Sequence, residues 1–235
     1  MSDPVTPYLV HLNAMAGGLF LLAAYGVVAT RQMLSCLRWF VGQSLLLAAS
    51  AMVIGIGLSS WHLAAVALIT VFTKTLAMPW LLRRTVRHEL YSRREISQVL
   101  NIPTALGIAL ALAIGAYFLG VPLARAVGPE YVGPNVPIGI AGLLLGAFTL
   151  TVRREALPLL IGLLAMENGA FMAGISIAHD LSMLVELAIA TDGLIIVFIV
   201  GVLVRAVEKQ VGTTAVGDLA TLREGPGARG RKAGP

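Results

Sequence analysis

Two long apolar runs near the C-terminus constrain this chain more than any other feature. The first covers residues 157–178 and the second covers residues 183–204. Each has the roughly 20 residues that an α-helix needs to cross a bilayer at about 1.5 Å per residue. Backbone that faces lipid has to form its hydrogen bonds internally, and runs of this length do so as helices. The two runs therefore predict a transmembrane helical hairpin.

The rest of the chain has the same character. Hydrophobic residues make up 57% and charged residues 12% of the sequence, which is typical of a membrane protein. The short alternating strands of a membrane barrel are not visible. The first ten residues contain no Lys or Arg, so we expect the first helix to be retained rather than cleaved as a signal peptide. We predict an all-α polytopic membrane protein with about seven transmembrane helices, at residues 8–29, 39–58, 62–82, 103–121, 138–152, 157–178 and 183–204.

Basic residues are distributed unevenly between the predicted loops. Of the 17 Lys and Arg, all but two follow helices one, three, five and seven; the exceptions are Arg125 and Lys74. The positive-inside rule then places the N-terminus outside and the C-terminus in the cytoplasm. The net charge of +5 is thus interpreted as a topology signal, and no nucleic-acid partner is expected. Cys36 should lie at a cytoplasmic helix end, where a thiol reagent on that side reaches it.

Four charged side chains lie inside the apolar runs. Glu167 and Asp192 are predicted near the middle of helices six and seven, whereas Glu186 is near the outer end of helix seven. A charge at membrane depth costs several kcal/mol unless it is protonated, paired or hydrated, so such residues are functional candidates by default. Together with Lys74 they are the proton-path candidates of this sequence. The alternative is that the acids are neutral and hold helices together by hydrogen bonds.

Lys74 itself allows two interpretations. It lies about two turns from the predicted end of helix three, so its ammonium group can extend to the lipid headgroups. Pro79 follows in the same helix and is expected to kink it, which frees a backbone carbonyl nearby. Lys74 is then either an interfacial anchor or part of a site.

Local patterns give further expectations. Asn13, near the start of helix one, is expected at the membrane interface. Residues 83–101 are rich in Arg and predict a short amphipathic helix on the membrane surface. Residues 122–137 are rich in Pro and Gly and predict a loop. Gly142 and Gly146 have the small-xxx-small spacing that lets two helices approach closely.

Several segments resemble known proteins. These are FTKTLAMPWLLRR in helix three, an Arg-Arg turn before LLIGLLAMEN, the run ATDGLIIVFIVGVLVR, and a tail of the form D-L-x-x-L-R-E. On these segments, residues 138–224 resemble the small three-helix K subunit of respiratory complex I. The whole chain resembles hydrogenase-4 component E, a longer relative found in membrane-bound group 4 NiFe hydrogenase complexes.

The resemblance implies sites. The K-subunit family uses two buried glutamates in lateral proton conduction. Asp192 matches the second by its distance to Arg205, with Asp in place of Glu. Glu167 lies three residues after Leu164, which aligns with the first, and so is about one helical turn away on nearly the same face. Glu186 has no counterpart.

The resemblance also implies an organisation and partners. Residues 1–135 would form a four-helix membrane part, residues 136–208 a three-helix part similar to the K subunit, and residues 209–235 a polar cytoplasmic tail. The partners would be antiporter-like membrane subunits and a peripheral NiFe hydrogenase-like module. The location would be the cytoplasmic (inner) membrane of a bacterium or archaeon. The chain would be a non-catalytic subunit of an oxidoreductase complex that contributes to proton translocation.

Two other function classes stay open. A stand-alone proton-coupled transporter would fit the buried acids, although no inverted repeat is visible. A purely structural subunit would use the acids for packing alone. A retinal protein would need a lysine on helix seven, which has none. With one cysteine and no CxxC, HExxH or P-loop sequence, we expect no cofactor and no metal site.

Overall fold

The computed structural model describes residues 6–85, 96, 98–126 and 133–177, together with Ile195, Phe198 and Val202. Within these ranges the chain is helical, and the only extended pairing is an isolated bridge. The elements are α1 (Thr6–Ala29), α2 (Met33–Gly57), α3 (Trp61–Thr70), a π-helical segment (Val71–Ala77), α4 (Met78–Thr85), α5 (Ile102–Ala126), α6 (Asn135–Val152) and α7 (Ala156–Ile177). Helix α3, the π-helical segment and α4 follow one another without a break, and we call them together the third span.

Six helical stretches among the described residues are long and apolar enough to cross a membrane. They coincide with the first six predicted helices, which confirms the prediction of an all-α polytopic membrane protein. The seventh predicted helix, residues 183–204, lies outside the described residues except at Ile195, Phe198 and Val202, which are helical. The predicted orientation and the division into parts at residues 135 and 208 stay predictions.

Helix α7 lies at the centre of the bundle, whereas α5 lies at its edge. Of the six spanning helices α7 has the largest buried share and α5 the smallest. Leu160 and Leu164 of α7 pack into one apolar cluster with α1, α2 and α4. Met172 of the same helix packs into a second cluster with α1, α2 and α3. A third cluster joins α5 to α1 and α6, so the central position of α7 determines which polar side chains meet inside.

Small residues bring α6 and α7 into close contact. A Cβ atom at Gly142 would lie 3.1 Å from the Cα atom of Gly169. At Gly146 it would collide with the backbone of Met166, and at Gly169 it would collide with the backbone of Leu143. The close approach expected from the spacing of Gly142 and Gly146 is therefore confirmed. The two helices pack at a distance that larger side chains do not allow.

Arg153, just after α6, closes the end of α1. Its Nη2 atom donates to the backbone oxygens of Val27 at 2.8 Å, Val28 at 3.1 Å and Thr30 at 2.7 Å. With its amide oxygen turned towards the guanidinium, Gln98 accepts from the same Nη2 at 2.9 Å. The last carbonyls of a helix have no partner within the helix, and a cation there also complements the helix dipole. Burial lowers the pKa of Arg153 from its ordinary value, but arginine keeps its charge in proteins.

Two loop predictions differ from the structure. Helix α5 continues through Pro122 to Ala126, although a loop was expected from residue 122. Proline removes one hydrogen bond, and a helix in lipid retains its remaining internal bonds because water is absent there. In the predicted surface helix at 83–101, residues up to Thr85 continue α4, and residues 86–95 lie outside the described part. Gln98 is not helical, because it forms an antiparallel bridge to Arg153.

The predicted thiol reactivity of Cys36 is also wrong for the folded protein, whereas its predicted cytoplasmic side stays a prediction. Helix α2 begins at Met33 rather than residue 39, so Cys36 lies inside a helix instead of a loop. Its side chain is fully buried, and its Sγ atom lies 4.0 Å from the carbonyl oxygen of Val27. A reagent in water on either side cannot reach a thiol that is packed between α1 and α2.

Candidate functional site

A seven-residue π-helical segment interrupts the third span at Val71–Ala77. Its hydrogen bonds include one from the Met78 amide to the carbonyl of Thr73, five residues earlier. Pro79 follows directly, and it lacks the N–H that an α-helix would use to bond the residue four positions before. The wider turn accommodates this loss, and such segments are frequent at functional sites. The expected effect of Pro79 therefore takes the form of a π-helix, and this segment carries Lys74.

Lys74 points into the bundle and contacts two side chains of α7. Its Nζ atom lies 2.7 Å from Oε1 of Glu167 and 3.0 Å from Oδ1 of Asn168. The Asn168 amide donates onward to Oγ of Ser44 at 2.8 Å, and the Ser44 hydroxyl donates to the carbonyl of Phe40 at 3.0 Å. A chain of hydrogen bonds thus connects the third span, α7 and α2.

The two members of this pair differ in burial. The Lys74 side chain is 3% exposed, whereas that of Glu167 is 23% exposed. Lys74 Nζ lies 5.8 Å from the ring centre of Phe171, within the range of a cation–π contact. Glu167 lies close to the middle of the 22-residue α7, so the pair is near mid-membrane depth. Gln43, next to Ser44, is fully buried, and among the described residues neither polar atom of its amide has a hydrogen-bond partner.

This geometry determines what the site can do chemically. A carboxylate and an amine at hydrogen-bond distance can exchange a proton directly. Asn168 does not titrate, so its carbonyl fixes the position of Lys74 without competing for the proton. Among the described residues there is no group of three or more His, Cys, Asp or Glu that could hold a metal ion. The site is therefore suited to moving or storing charge within the membrane.

A second polar cluster lies at another level of the bundle. Asn13 of α1 and Asn135 of α6 exchange hydrogen bonds of 3.1 Å through their amides. The Ser50 hydroxyl of α2 donates to Asn13 at 2.7 Å and accepts from Asn135 at 2.8 Å. All three side chains are buried, so Asn13 contacts other helices rather than lipid headgroups, and its depth near the membrane interface stays a prediction. These groups carry no charge and satisfy one another, which makes them a link between three helices.

Of the four predicted proton-path candidates, the structure brings two together. Lys74 and Glu167 form an ion pair although they are 93 residues apart in sequence. The interpretation of Lys74 as an interfacial anchor is wrong, because its ammonium group faces the interior. Glu186 and Asp192 lie outside the described residues, so their roles stay predictions.

Sequence reasoning missed the neutral members of the site. Asn168 accepts from Lys74 and donates to Ser44 of α2. Gln43, beside Ser44, adds an amide that has no hydrogen-bond partner in the described part of the chain. Each is a polar residue inside an apolar run, and Asn168 directly follows Glu167. That signal is visible in the sequence, but it does not say which helices meet.

Comparison with known proteins gives full-length relatives. Hydrogenase-4 component E of Escherichia coli is 27% identical over 222 residues, covering 90% of this chain and 97% of the relative. The Shigella flexneri protein of the same name matches equally well. The chain is thus similar to hydrogenase-4 component E over nearly the full length of both proteins. The resemblance first noted on short segments thus extends along almost the whole sequence.

One further relative was found, and two other comparisons found no match. An uncharacterized protein of Mycobacterium tuberculosis is 29% identical over 217 residues, covering 92% of this chain and 98% of that protein. No protein-family model matches this chain, and no solved structure matches it.

Proposed function

We propose that this chain is a non-catalytic membrane subunit of a hydrogenase-4-like redox complex and that it takes part in proton translocation. The Lys74–Glu167 ion pair is the observation that carries the proposal. Two further observations support it: the similarity to a named hydrogenase-4 component, and the six helices in the described ranges that are long and apolar enough to cross a membrane.

The physical reason lies in the cost of charge at this depth. An ion pair that served packing alone could be replaced by apolar residues with little loss of stability. A pair that carries protons has to contain groups that change charge, and a carboxylate in contact with an amine meets this requirement. Glu167 is also partly exposed, which leaves one side of the carboxylate open for a further proton donor or acceptor. Asp192 would supply the next titratable group and Glu186 one nearer the outer surface.

The partners follow from the same proposal. The redox chemistry would belong to a peripheral NiFe hydrogenase-like module, and antiporter-like membrane subunits would continue the proton path within the bilayer. The complex would lie in the cytoplasmic membrane of a bacterium or archaeon.

The test replaces titratable groups with amides in the assembled complex. In Glu167→Gln the amide oxygen still accepts a hydrogen bond from Lys74, so assembly should stay close to that of the wild type. Because an amide cannot carry the proton, redox-driven proton movement in inverted vesicles should fall at least tenfold. Asp192→Asn should act in the same direction, whereas Glu186→Gln should have a smaller effect.

Glu155→Gln is the matched control, since it removes an acid just before the same helix, α7, outside the apolar span. It should leave proton movement unchanged. Normal proton movement in the Glu167→Gln, Asp192→Asn double variant, at normal amounts of complex, would refute the conducting role.

A structural role is the second candidate, and one observation favours it. Through Asn168 and Ser44, Lys74 is hydrogen-bonded to both α7 and α2, so the network would hold three helices together even without proton transfer. This role predicts that Glu167→Gln retains full activity, because the amide preserves the hydrogen bond. The same experiment therefore distinguishes the two functions.

A further inference from the structure

A groove lies between α2 and the third span, and neither Lys74 nor Glu167 is among its lining residues. Its volume is about 320 Å³, which is within the range of small-molecule sites. The wall is mainly apolar. It is formed by Leu34, Leu37, Val41, Leu76 and Pro79, with Thr75 as an additional member.

Arg38 and Trp80 complete the lining at one level of the helix pair. Arg38 lies twenty residues before the turn at Leu58–Ser60, and Trp80 lies twenty residues after it. Twenty helical residues extend about 30 Å, the thickness of the hydrocarbon core. Both side chains therefore lie at the membrane boundary opposite the turn, where Trp and Arg are commonly found.

The charge at this boundary has no counterpart in the described protein. Arg38 is exposed, and among the described residues no carboxylate lies within ion-pair distance of it. A groove that is apolar along its wall and cationic at its mouth complements a molecule with a hydrocarbon chain and an anionic head. A small soluble anion would leave the apolar wall unused, and water is not held by such a wall.

We propose that this groove binds one anionic phospholipid. The phosphate pairs with Arg38, and Trp80 lies beside the headgroup. One acyl chain extends from there towards the membrane core along Val41 and Leu76. Basic pockets between transmembrane helices recognise anionic lipid headgroups in this way. The proposal does not depend on the role of the Lys74–Glu167 pair.

The test measures lipid retained by the purified full-length chain in a neutral detergent, by native mass spectrometry. Phosphatidylglycerol and phosphatidylcholine with identical acyl chains are added in equal amounts. The wild type should retain one phosphatidylglycerol at least fivefold more often than one phosphatidylcholine. Arg38→Gln should abolish this preference, and Val41→Trp should reduce the binding of both lipids because it fills the groove.

Two controls keep the result interpretable. Arg125→Gln removes an arginine from the last turn of α5, outside the groove, and should bind like the wild type. If Val41→Trp does not fold, Leu76→Trp fills the same groove from a side chain that is already 58% exposed. Equal retention of the two lipids by the wild type, an unchanged preference in Arg38→Gln, or an equal loss in Arg125→Gln would overturn the proposal.

Discussion

Lys74 shows why a charged side chain in a membrane helix can stay buried instead of extending to the membrane surface. Its ammonium group meets a carboxylate at 2.7 Å and an amide oxygen at 3.0 Å. These two partners replace the water that the side chain loses on burial, so the alternative of extending to the surface is not needed. Removing one partner leaves the other uncompensated, which is costlier than removing both.

The pair should therefore show strong coupling in a double-mutant cycle. Lys74→Met and Glu167→Leu should each destabilise the protein by about 3–5 kcal/mol, because each leaves one buried charge without its partner. The Lys74→Met, Glu167→Leu double variant should recover most of this loss. Thermal unfolding of the purified protein in detergent measures all four species. Additive losses would show that the two groups do not depend on each other.

Arg153 and Arg154 provide a matched comparison of neighbouring arginines. Arg153 is buried and bonded to the end of α1, whereas Arg154 is exposed. Arg153→Gln should lower stability by about 1–3 kcal/mol, because it leaves buried carbonyl oxygens without a donor. Arg154→Gln should change stability by less than about 0.5 kcal/mol. Similar melting temperatures for the two variants would contradict the capping role.

The sequence alone singled out Lys74 and Glu167 but not the neutral side chains that surround them. Lys74 and Glu167 stand out because charge is rare inside apolar runs. The two residues are 93 positions apart in the sequence, and they meet only if each helix is rotated about its own axis so that its charged side chain faces the other helix. A pattern of almost uniformly apolar residues does not define that rotation, because it marks no single inward face. Asn168 and Ser44 were missed for the same reason.

At the scale of elements, the bilayer makes the helices predictable and leaves their ends uncertain. Six predicted helices were found because each needs a minimum apolar length. The ends differ where local chemistry decides, as at Pro122, which lies within α5. The π segment was not predicted, although Pro79 indicated that hydrogen bonding would be irregular there. The spacing of Gly142 and Gly146 predicted a close helix contact at α6, but it did not identify α7 as the partner.

Glycine substitutions should separate close packing from simple helix composition. In Gly169→Ala the new Cβ atom meets backbone atoms of Gly142 and Leu143. The helices have to move apart, at a cost of about 1–3 kcal/mol. Gly115 of α5 has nothing within 4 Å of the corresponding position, so Gly115→Ala should be neutral or slightly stabilising. Thermal unfolding in detergent compares them, and equal losses would exclude a specific α6–α7 contact.

The whole molecule combines a bundle that the structure describes with an orientation that rests on charge. Fifteen of the 17 basic residues lie on one predicted side, and this distribution predicts which side is cytoplasmic. Neither packing nor hydrogen bonding differs between the two orientations. The charges of the loops determine orientation during insertion, so contacts inside the bundle do not distinguish the two orientations.

Introduced cysteines should report the orientation that Cys36 cannot. In a Cys36→Ala background, Gln32→Cys lies at an exposed position between α1 and α2, and His62→Cys lies at an exposed position at the start of α3. A membrane-impermeant thiol reagent should label His62→Cys in whole cells and Gln32→Cys only in inverted vesicles. The reverse pattern would contradict the predicted topology.

The contact of Arg153 with the end of α1 also has a consequence in time. Its guanidinium reaches the Val27 carbonyl from 126 residues later in the sequence. At about 5–20 residues per second, a ribosome needs roughly 6–25 s to synthesise that interval. During this period the last turn of the first helix has to be satisfied by water or by the translocation machinery. The last turn of α1 therefore gains its hydrogen bonds from Arg153 only after α6, the fifth membrane-spanning helix, has been synthesised.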